Sequence, residues 1–115
     1  MITNKDTDQV FAALAHETRR TILDHLQTDP GLAVGQLARR FDVSRIAIMN
    51  HLAVLEAAGL VISHKQGRTR SLYMNVVPIQ AIYERWTDAY ASTFASRLTE
   101  IKRLVEGRVK AEGNR

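Results

Sequence analysis

The sequence predicts a mostly α-helical domain that carries one small β-hairpin, and three observations support this fold class. Apolar residues recur at spacings of three and four in five separate stretches of the 115-residue chain. Two short runs of strand-forming residues, 61–65 and 69–75, flank a turn that contains Gly67. The length and the apolar share of 45% suit one domain with one hydrophobic core.

Three helices are predicted before the central segment of the chain. The first covers 6–15, and one of the polar residues at its start is expected to cap it: Asp6, Thr7 or Asp8. The second covers 17–27, after a break at His16. The run 28–31, which contains Pro30 and Gly31, is a strong loop signal, and a short third helix is expected over 34–41.

The fourth helix is the central element of the prediction. A turn at 42–44 precedes it, and Ser44 is a good N-cap because its hydroxyl can accept a hydrogen bond from a free backbone N–H. The helix is expected to run to about Ala57, where Gly59 can end it. The third helix, this turn and the fourth helix together indicate a helix-turn-helix at about 34–58.

At 100° per residue, the fourth helix divides into two faces. One face can pack on a core and holds Ile48, His51, Leu52 and Leu55. The other mixes a charge, an amide and apolar groups, namely Arg45, Ile46, Met49, Asn50 and Ala53. Arginine can pair with guanine, asparagine with adenine, and apolar side chains with thymine methyl groups. The second face is therefore a candidate base-reading surface.

The positive charge of the chain is concentrated around this motif. Between Val34 and Asn75 there are two acidic residues, Asp42 and Glu56, and six basic ones, namely Arg39, Arg40, Arg45, Lys65, Arg68 and Arg70. This segment therefore carries a net charge of +4, which equals the formal net charge of the whole chain. Such a basic patch is where contacts with DNA phosphates are expected.

The predicted hairpin turns the helix-turn-helix into a winged helix. The two strands and their turn form a wing at about 60–76, with a basic tip that can reach phosphates while the fourth helix lies in the major groove. The expected order is α1-α2-α3-α4-β-β-α5, in a single domain over 1–107.

The last helix is predicted from Pro78 to about Glu106, with Gly107 as a stop and a polar, frayed tail over 108–115. It carries a continuous apolar stripe: Ile79, Ile82, Tyr83, Trp86, Tyr90, Phe94, Leu98, Ile101 and Val105. At ~40 Å this helix is longer than so small a domain can cover. A second copy of the same helix is therefore the expected partner, which predicts a homodimer.

Several functional classes are excluded by the sequence. The chain has no cysteine, so disulfides and thiolate metal sites are absent. The polar N-terminus does not resemble a signal peptide, and no apolar run approaches the ~20 residues of a membrane span. We therefore expect a cytoplasmic location with no membrane partner.

No motif of an enzyme or of a cofactor site is apparent. The run that begins at His16 starts like a zinc-protease motif, but Arg20 stands where the second histidine is required. His51 is interpreted as a packed, hydrogen-bonded structural residue, and His64 as a solvent or phosphate contact on the wing. There is no P-loop and no nucleophile elbow. The sequence therefore predicts neither an enzyme nor a bound cofactor or metal.

Two long runs of the chain resemble the ArsR/SmtB-type family of bacterial winged-helix regulators. They are VFAALAHETRRTILDHL and QLARRFDVSRIAIMNHLAVLEAAGLV, and the resemblance covers about 9–75. The family implies a homodimer built from the first and last helices that binds a palindromic operator in double-stranded DNA. It commonly represses transcription until an effector releases it; for this chain the sequence predicts neither the identity of a small-molecule effector nor whether there is one.

Family positions can be carried over residue by residue. The resemblance implies base contacts from Ser44, Arg45, Met49 and Asn50 and wing contacts from Arg68 and Arg70. Phe11 and Leu14 are expected to add dimer contacts from the first helix, because their apolar stripe is not used by the core of the helix-turn-helix. Metal-sensing members have a Cys-x-Cys-type box on the third helix, where this chain has Ala33 and Gly35. No histidine follows His64, so a metal site on the last helix is missing too, which is similar to a non-metal-sensing branch. The operator sequence is not predicted, because relatives often carry small polar residues in place of Ile46 and Met49.

An alternative interpretation is a winged helix that serves as a protein-interaction module. Its docking surface would be the aromatic last helix. The location of the charge excess favours DNA binding, because a module that docks on proteins has no need of basic residues in the helix-turn-helix and the wing.

Overall fold

The computed structural model describes residues 3–87 and 89–113, without the side chains of 89–92 and 109–113. The chain divides into two units, Met1–Ile82 and Tyr83–Arg115. The elements are α1 (Asn4–Leu14), α2 (Glu17–Thr28), β1 (Leu32–Ala33), α3 (Val34–Ala38), α4 (Arg45–Ala57), β2 (Val61–Gln66), β3 (Thr69–Met74), α5 (Val77–Trp86) and α6 (Ala89–Gly113).

The predicted winged helix-turn-helix is confirmed, with one strand more than expected. The sheet is antiparallel in the order β1-β3-β2. Its two-residue strand β1 pairs Leu32 with Leu72 and Ala33 with Ser71. The N–H of Gly31 also donates to the carbonyl of Leu72 at 2.8 Å. This pairing ties the segment before the helix-turn-helix to the wing.

One hydrophobic core holds the four helices and the sheet of the first unit together. Its most buried large side chains come from every one of these layers: Val10, Ile22, Leu26, Leu37, Ile48, Leu52, Leu55, Leu60 and Leu72. The predicted inward face of α4 is confirmed, because Ile48, Leu52 and Leu55 are all at most 1% exposed. The core therefore fixes which side of α4 faces outward.

The N-cap prediction for α1 is wrong, because the helix begins earlier. Thr3 is the N-cap, and its hydroxyl accepts from the N–H of Asp6 at 3.1 Å. The Asp6 carboxylate accepts in return from the N–H of Thr3 at 3.0 Å, which completes a capping box and lowers the pKa of that carboxyl. A capping box satisfies two free backbone donors, so it defines the start better than Asp6, Thr7 or Asp8 alone.

The prediction of one last helix that stops at Gly107 is also wrong. α5 ends at Trp86, where the Thr87 hydroxyl donates to the carbonyl of Tyr83 at 2.5 Å. The N–H of Thr87 bonds to the carbonyl of Glu84, three residues back, at 3.4 Å, so the last turn of α5 is tightened. α6 then continues through Gly107 to Gly113, so the part of the predicted tail up to Gly113 is helical. A glycine inside a helix costs only about 1 kcal/mol relative to alanine, and its neighbours are good helix formers.

The helix α3 is shorter than predicted, since it ends at Ala38 rather than at Phe41. The N–H groups of Arg40 and Phe41 donate to carbonyls three residues back, at 3.0 and 3.2 Å, which marks a tight final turn.

Candidate nucleic-acid interface

The helix α4 is fixed at both ends, so its outward face has a defined position. At the start, the Ser44 hydroxyl accepts from the N–H of Ala47 at 3.1 Å, as predicted. At the end, Gly59 has a positive φ of 76°, and the N–H of Leu60 donates to the carbonyl of Leu55 at 2.9 Å. This glycine-terminated arrangement satisfies carbonyls that the helix itself leaves free.

The outward face of α4 consists of the residues that the sequence assigned to base reading. Ile46 is 71% exposed and Met49 is 45% exposed, and Arg45 and Asn50 are exposed beside them. The division of the helix into an inward and an outward face is thus confirmed. Two large apolar side chains in solvent beside a cation and an amide suit a surface that meets base edges.

A cleft of about 260 Å³ lies between the start of α4 and the wing. Arg45 and Met49 line it from α4, Arg68 and Arg70 line it from the wing, and Gly35 lies at its α3 side. The structure therefore brings together four of the predicted DNA-contacting residues. Ile46 and Asn50 lie further along the exposed face, and Arg39 is exposed at the C-cap of α3.

The six basic residues of this region fall into two groups. Arg40 forms an ion pair with Asp29 at 2.8 Å and lies 3.2 Å from His25 Nδ1. Arg70 forms an ion pair with Glu56 at 2.5 Å. The ion pairs found within residues 3–87 and 89–113 leave out the other four, which are exposed: Arg39, Arg45, Lys65 and Arg68. These four cations are available to phosphates.

The wing presents its basic residues at an exposed tip. Gly67 has a positive φ of 63°, as the tight turn was expected to require. Lys65 on β2 and Arg68 in the turn are both exposed. Gln66 and Thr69 are paired in register, so the hairpin is regular up to its turn.

His51 is a structural residue, as predicted, and its partner is Arg19. The Arg19 guanidinium, which can only donate, lies 3.2 Å from His51 Nδ1, so that nitrogen accepts and the imidazole is neutral. The same guanidinium donates to the carbonyls of Ala13 and Ala12 at the end of α1. The rings of His16 and His51 lie 4.5 Å apart. Burial, followed by His16 and Arg19, lowers the pKa of His51.

This cluster predicts acid-sensitive stability. The native state disfavours the protonated imidazole of His51, whereas the unfolded chain takes up a proton near the ordinary pKa of 6.5. The free energy of unfolding should therefore fall as the pH drops below about 6.5. Urea unfolding between pH 5 and 8 measures it, and His51→Asn should flatten this dependence. Parallel curves for the two proteins would contradict the role of His51, and His64→Asn, on the exposed wing, is the matched control.

The residues predicted for a dimer interface lie in different environments. Leu14, Ile79 and Ile82 are partly buried against the core of their own chain. Four other residues of this predicted interface have large, exposed side chains: Phe11, Tyr83, Trp86 and Phe94. The side chain of Tyr90 lies outside the described residues. On α6 the exposed apolar row continues through Leu98, Ile101 and Val105.

Two further observations concern metals and membranes. Within the part of the chain that the structure describes, no group of three or more histidine, aspartate or glutamate side chains could hold a metal ion. None of the described helices has the length and the apolar character needed to cross a bilayer.

Sequence reasoning missed Glu56, Ser63 and Arg19. Their side-chain partners lie 7 to 32 residues away in the sequence, and the signal for Glu56 was that it is one of only two acids in a basic segment.

Known proteins share both the sequence motif and the fold. A helix-turn-helix domain model matches residues 14–64. The chain is 37% identical over 91 residues to YuzN, an uncharacterized HTH-type transcriptional regulator of Bacillus subtilis, across 74% of this chain and 99% of YuzN. It is 47% identical over 73 residues to the HTH-type transcriptional regulator Rv2034 of Mycobacterium tuberculosis, across 64% of this chain and 66% of Rv2034.

Solved structures of transcriptional regulators share the fold of this chain. An ArsR-like transcriptional regulator from Rhodococcus sp. RHA1 superposes with a TM-score of 0.68 at 34% identity, across 90% of this chain and 93% of that chain. The exposed face of α4 and the basic wing agree with these similarities, which are to transcriptional regulators, a non-enzymatic class. The chain belongs to the ArsR family of winged helix-turn-helix proteins and is a DNA-binding transcriptional regulator.

Proposed function

We propose that the protein is a repressor that binds a palindromic operator as a homodimer. The observation that carries this proposal is the cleft between α4 and the wing, where Arg45 and Arg68 lie on either side. A groove flanked by cations on a helix and on a hairpin suits a DNA backbone that passes between the two. In this arrangement α4 enters the major groove, as the recognition helix of such motifs does.

Each predicted residue has a part in this proposal. Arg45, Ile46, Met49 and Asn50 meet base edges. Ser44 at the helix start belongs with them, and Arg39, Lys65 and Arg68 meet the sugar-phosphate backbone and set the register without reading the sequence. The ion pairs at Arg40 and Arg70 support a smaller direct role for these two cations, since each already has an acidic partner.

The exposed apolar row on α6 supports the homodimer. Phe94, Leu98, Ile101 and Val105 follow one another at spacings of four, three and four, and each is more than half exposed in the single chain. Apolar surface of this extent is rare on soluble monomers. A two-fold interface covers it in both copies and places two recognition helices ~34 Å apart, as a palindromic site requires.

The repressor role in this proposal rests on an operator that overlaps the promoter. Two helices in successive major grooves cover more than one turn of DNA. An operator that overlaps a promoter is then closed to the polymerase by steric exclusion. Transcription in vitro from the protein's own promoter should decrease as the protein is added, and an increase would instead indicate an activator.

The docking-module interpretation remains the second candidate function. The same exposed α6 row favours it, because a partner protein could cover that row. It leaves the four unpaired cations of the helix-turn-helix and the wing without a role. The first proposal explains both features.

Operator binding that weakens with salt is the test of this proposal. If each subunit neutralises about four phosphates, the logarithm of the binding constant should fall with the logarithm of the salt concentration at a slope near −7 for the dimer. Mobility-shift titrations with the upstream DNA of the protein's own gene, at several salt concentrations, measure this slope. Random DNA of equal length is the control. A flat response, or equal affinity for both DNAs, would contradict specific binding.

A further inference from the structure

The ion pair between Glu56 and Arg70 joins the recognition helix to the wing. Glu56 lies in the last turn of α4, and Arg70 lies on β3. The Arg70 Nη2 donates to Glu56 Oε1 at 2.5 Å and to the hydroxyl of Ser63, on β2, at 3.2 Å. The two charged side chains are 36% and 27% exposed. One guanidinium therefore connects α4 with both strands of the hairpin from a half-buried position.

Glu56 offsets part of the positive charge that is concentrated in the wing. Lys65 and Arg70 stand directly opposite each other in the β2–β3 register, and like charges in such a position destabilise a hairpin. Arg68 adds a third positive charge at the turn. Between Val34 and Asn75 the sequence has only Asp42 and Glu56 as acids, and Glu56 is the one paired with Arg70.

The ion pair also lies between the fixed base of the hairpin and its exposed tip. At its base, the N–H of Asn75 donates to the carbonyl of Leu60 at 2.8 Å, and its side-chain amide donates to the carbonyl of Gly59 at 2.9 Å. At its tip, a Cβ added to Gly67 would meet nothing within 4 Å. The tip thus stands free, and the Glu56–Arg70 pair holds the hairpin one residue closer to the tip than the Ala33–Ser71 pairing that ties β3 to β1.

We propose that Glu56 is a positioning residue for DNA binding, which acts through Arg70 to hold the wing at the angle where Lys65 and Arg68 reach the backbone. This inference rests on the proposed wing contact with DNA. It assigns Arg70 a different role from the one its charge suggests, because its guanidinium orients the wing instead of binding a phosphate.

The sign of one substitution separates the two roles. Removing an anion beside a DNA-binding surface normally strengthens binding, because it removes repulsion from phosphates. Glu56→Ala is expected to weaken operator binding instead, by roughly 3- to 30-fold. This range corresponds to the interaction energies typical of neighbouring residues that act together. Asp42→Asn is the matched control, since it removes the other acid of the same segment from an exposed turn, and it should bind as tightly as the wild type or more tightly.

A double-mutant cycle tests whether the pair acts as a unit. Glu56→Ala, Arg70→Ala and the double variant should lose about the same affinity. Arg68→Ala should cost less affinity in the Glu56→Ala background than in the wild type, because the wing is no longer held. Glu56→Gln, which keeps an acceptor for Arg70, should recover part of the loss. A general loss of folding would not produce this dependence on Arg68.

The opposite results would overturn the inference. If Arg70 leaves Glu56 to bind a phosphate, Glu56→Ala should bind DNA more tightly, and most of that gain should disappear in the Arg70→Ala background. Thermal unfolding of each variant sets an assay temperature at which all of them are folded. A wild type that does not bind the operator would contradict the proposed function. A wild type that binds, with Glu56→Ala equal to it or tighter, would contradict the positioning role alone.

Discussion

Replacing Leu98 and Ile101 together with aspartate is expected to convert the proposed homodimer into a 12.9 kDa monomer and to lower operator affinity by about hundredfold or more. Both side chains are about half exposed on α6 in the single chain and belong to its apolar row. Burying each contributes on the order of 1.5–3 kcal/mol, and a dimer buries each of them twice. Aspartate loses this contribution and places charges that repel each other across the two-fold axis. A monomer then binds each half-site independently.

Sedimentation velocity at micromolar concentration measures the assembly state, and mobility shifts on the operator measure the affinity. The control is Ser96→Asp with Thr99→Asp, which adds the same two charges to the exposed opposite face of α6. This control should remain a dimer. A wild type that sediments as a monomer and still binds a palindrome tightly would contradict the dimer.

The recognition helix should respond in two different ways to changes on its two faces. Asn50→Ala, on the exposed face, should lower the discrimination between operator and random DNA by roughly 1–3 kcal/mol with little loss of stability. Leu52→Ala, two residues further and only 1% exposed, should lower the free energy of unfolding by about 2–5 kcal/mol. Competition binding and urea unfolding on both variants measure the two effects.

Arg45→Ala should behave like Asn50→Ala, whereas Arg68→Ala in the wing should weaken operator and random DNA more evenly. If Arg68→Ala changes the sequence preference and Asn50→Ala does not, the wing reads the bases and the exposed face of α4 contacts the backbone, which is the reverse of the proposed roles. Unchanged stability of Leu52→Ala would mean that α4 is not anchored by its inward face.

The elements with strong local signals could be predicted from the sequence. The helix α4 has a serine cap, a regular apolar spacing and a terminal glycine, and its predicted limits agree with the observed ones. The hairpin has two runs of strand formers and a glycine that adopts the positive φ of its turn. These signals lie within a few residues of the feature that they determine, so they can be recognised without knowledge of the tertiary packing.

The features that sequence reasoning missed depend on distant partners or on competition between weak preferences. Strand β1 has two residues and exists because β3 pairs with it, which nothing in Leu32 and Ala33 indicates. The last turn of α5 tightens at Thr87, whose N–H bonds to the carbonyl of Glu84 three residues back, and the apolar spacing of this stretch does not indicate a break there. In the candidate site, charge and periodicity identified the exposed cations of α4 and the wing. They could not show that Arg40 and Arg70 have acidic partners, because Asp29 and Glu56 lie 11 and 14 residues away.

The pairing of β1 with β3 has a consequence for transplanting specificity. Leu32 and Ala33 lie beside Leu72 and Ser71, so the segment 34–70 leaves the sheet and returns to it at adjacent points. Antiparallel partners are only about 5 Å apart, so such a segment has closely spaced ends, the property that makes an insertion tolerable. It contains α3, the whole of α4 and most of the wing. We therefore expect α3, α4, the wing tip and the Glu56–Arg70 pair to be exchangeable with a relative's as one segment when its core side chains, such as Leu37, Ile48 and Leu55, are kept.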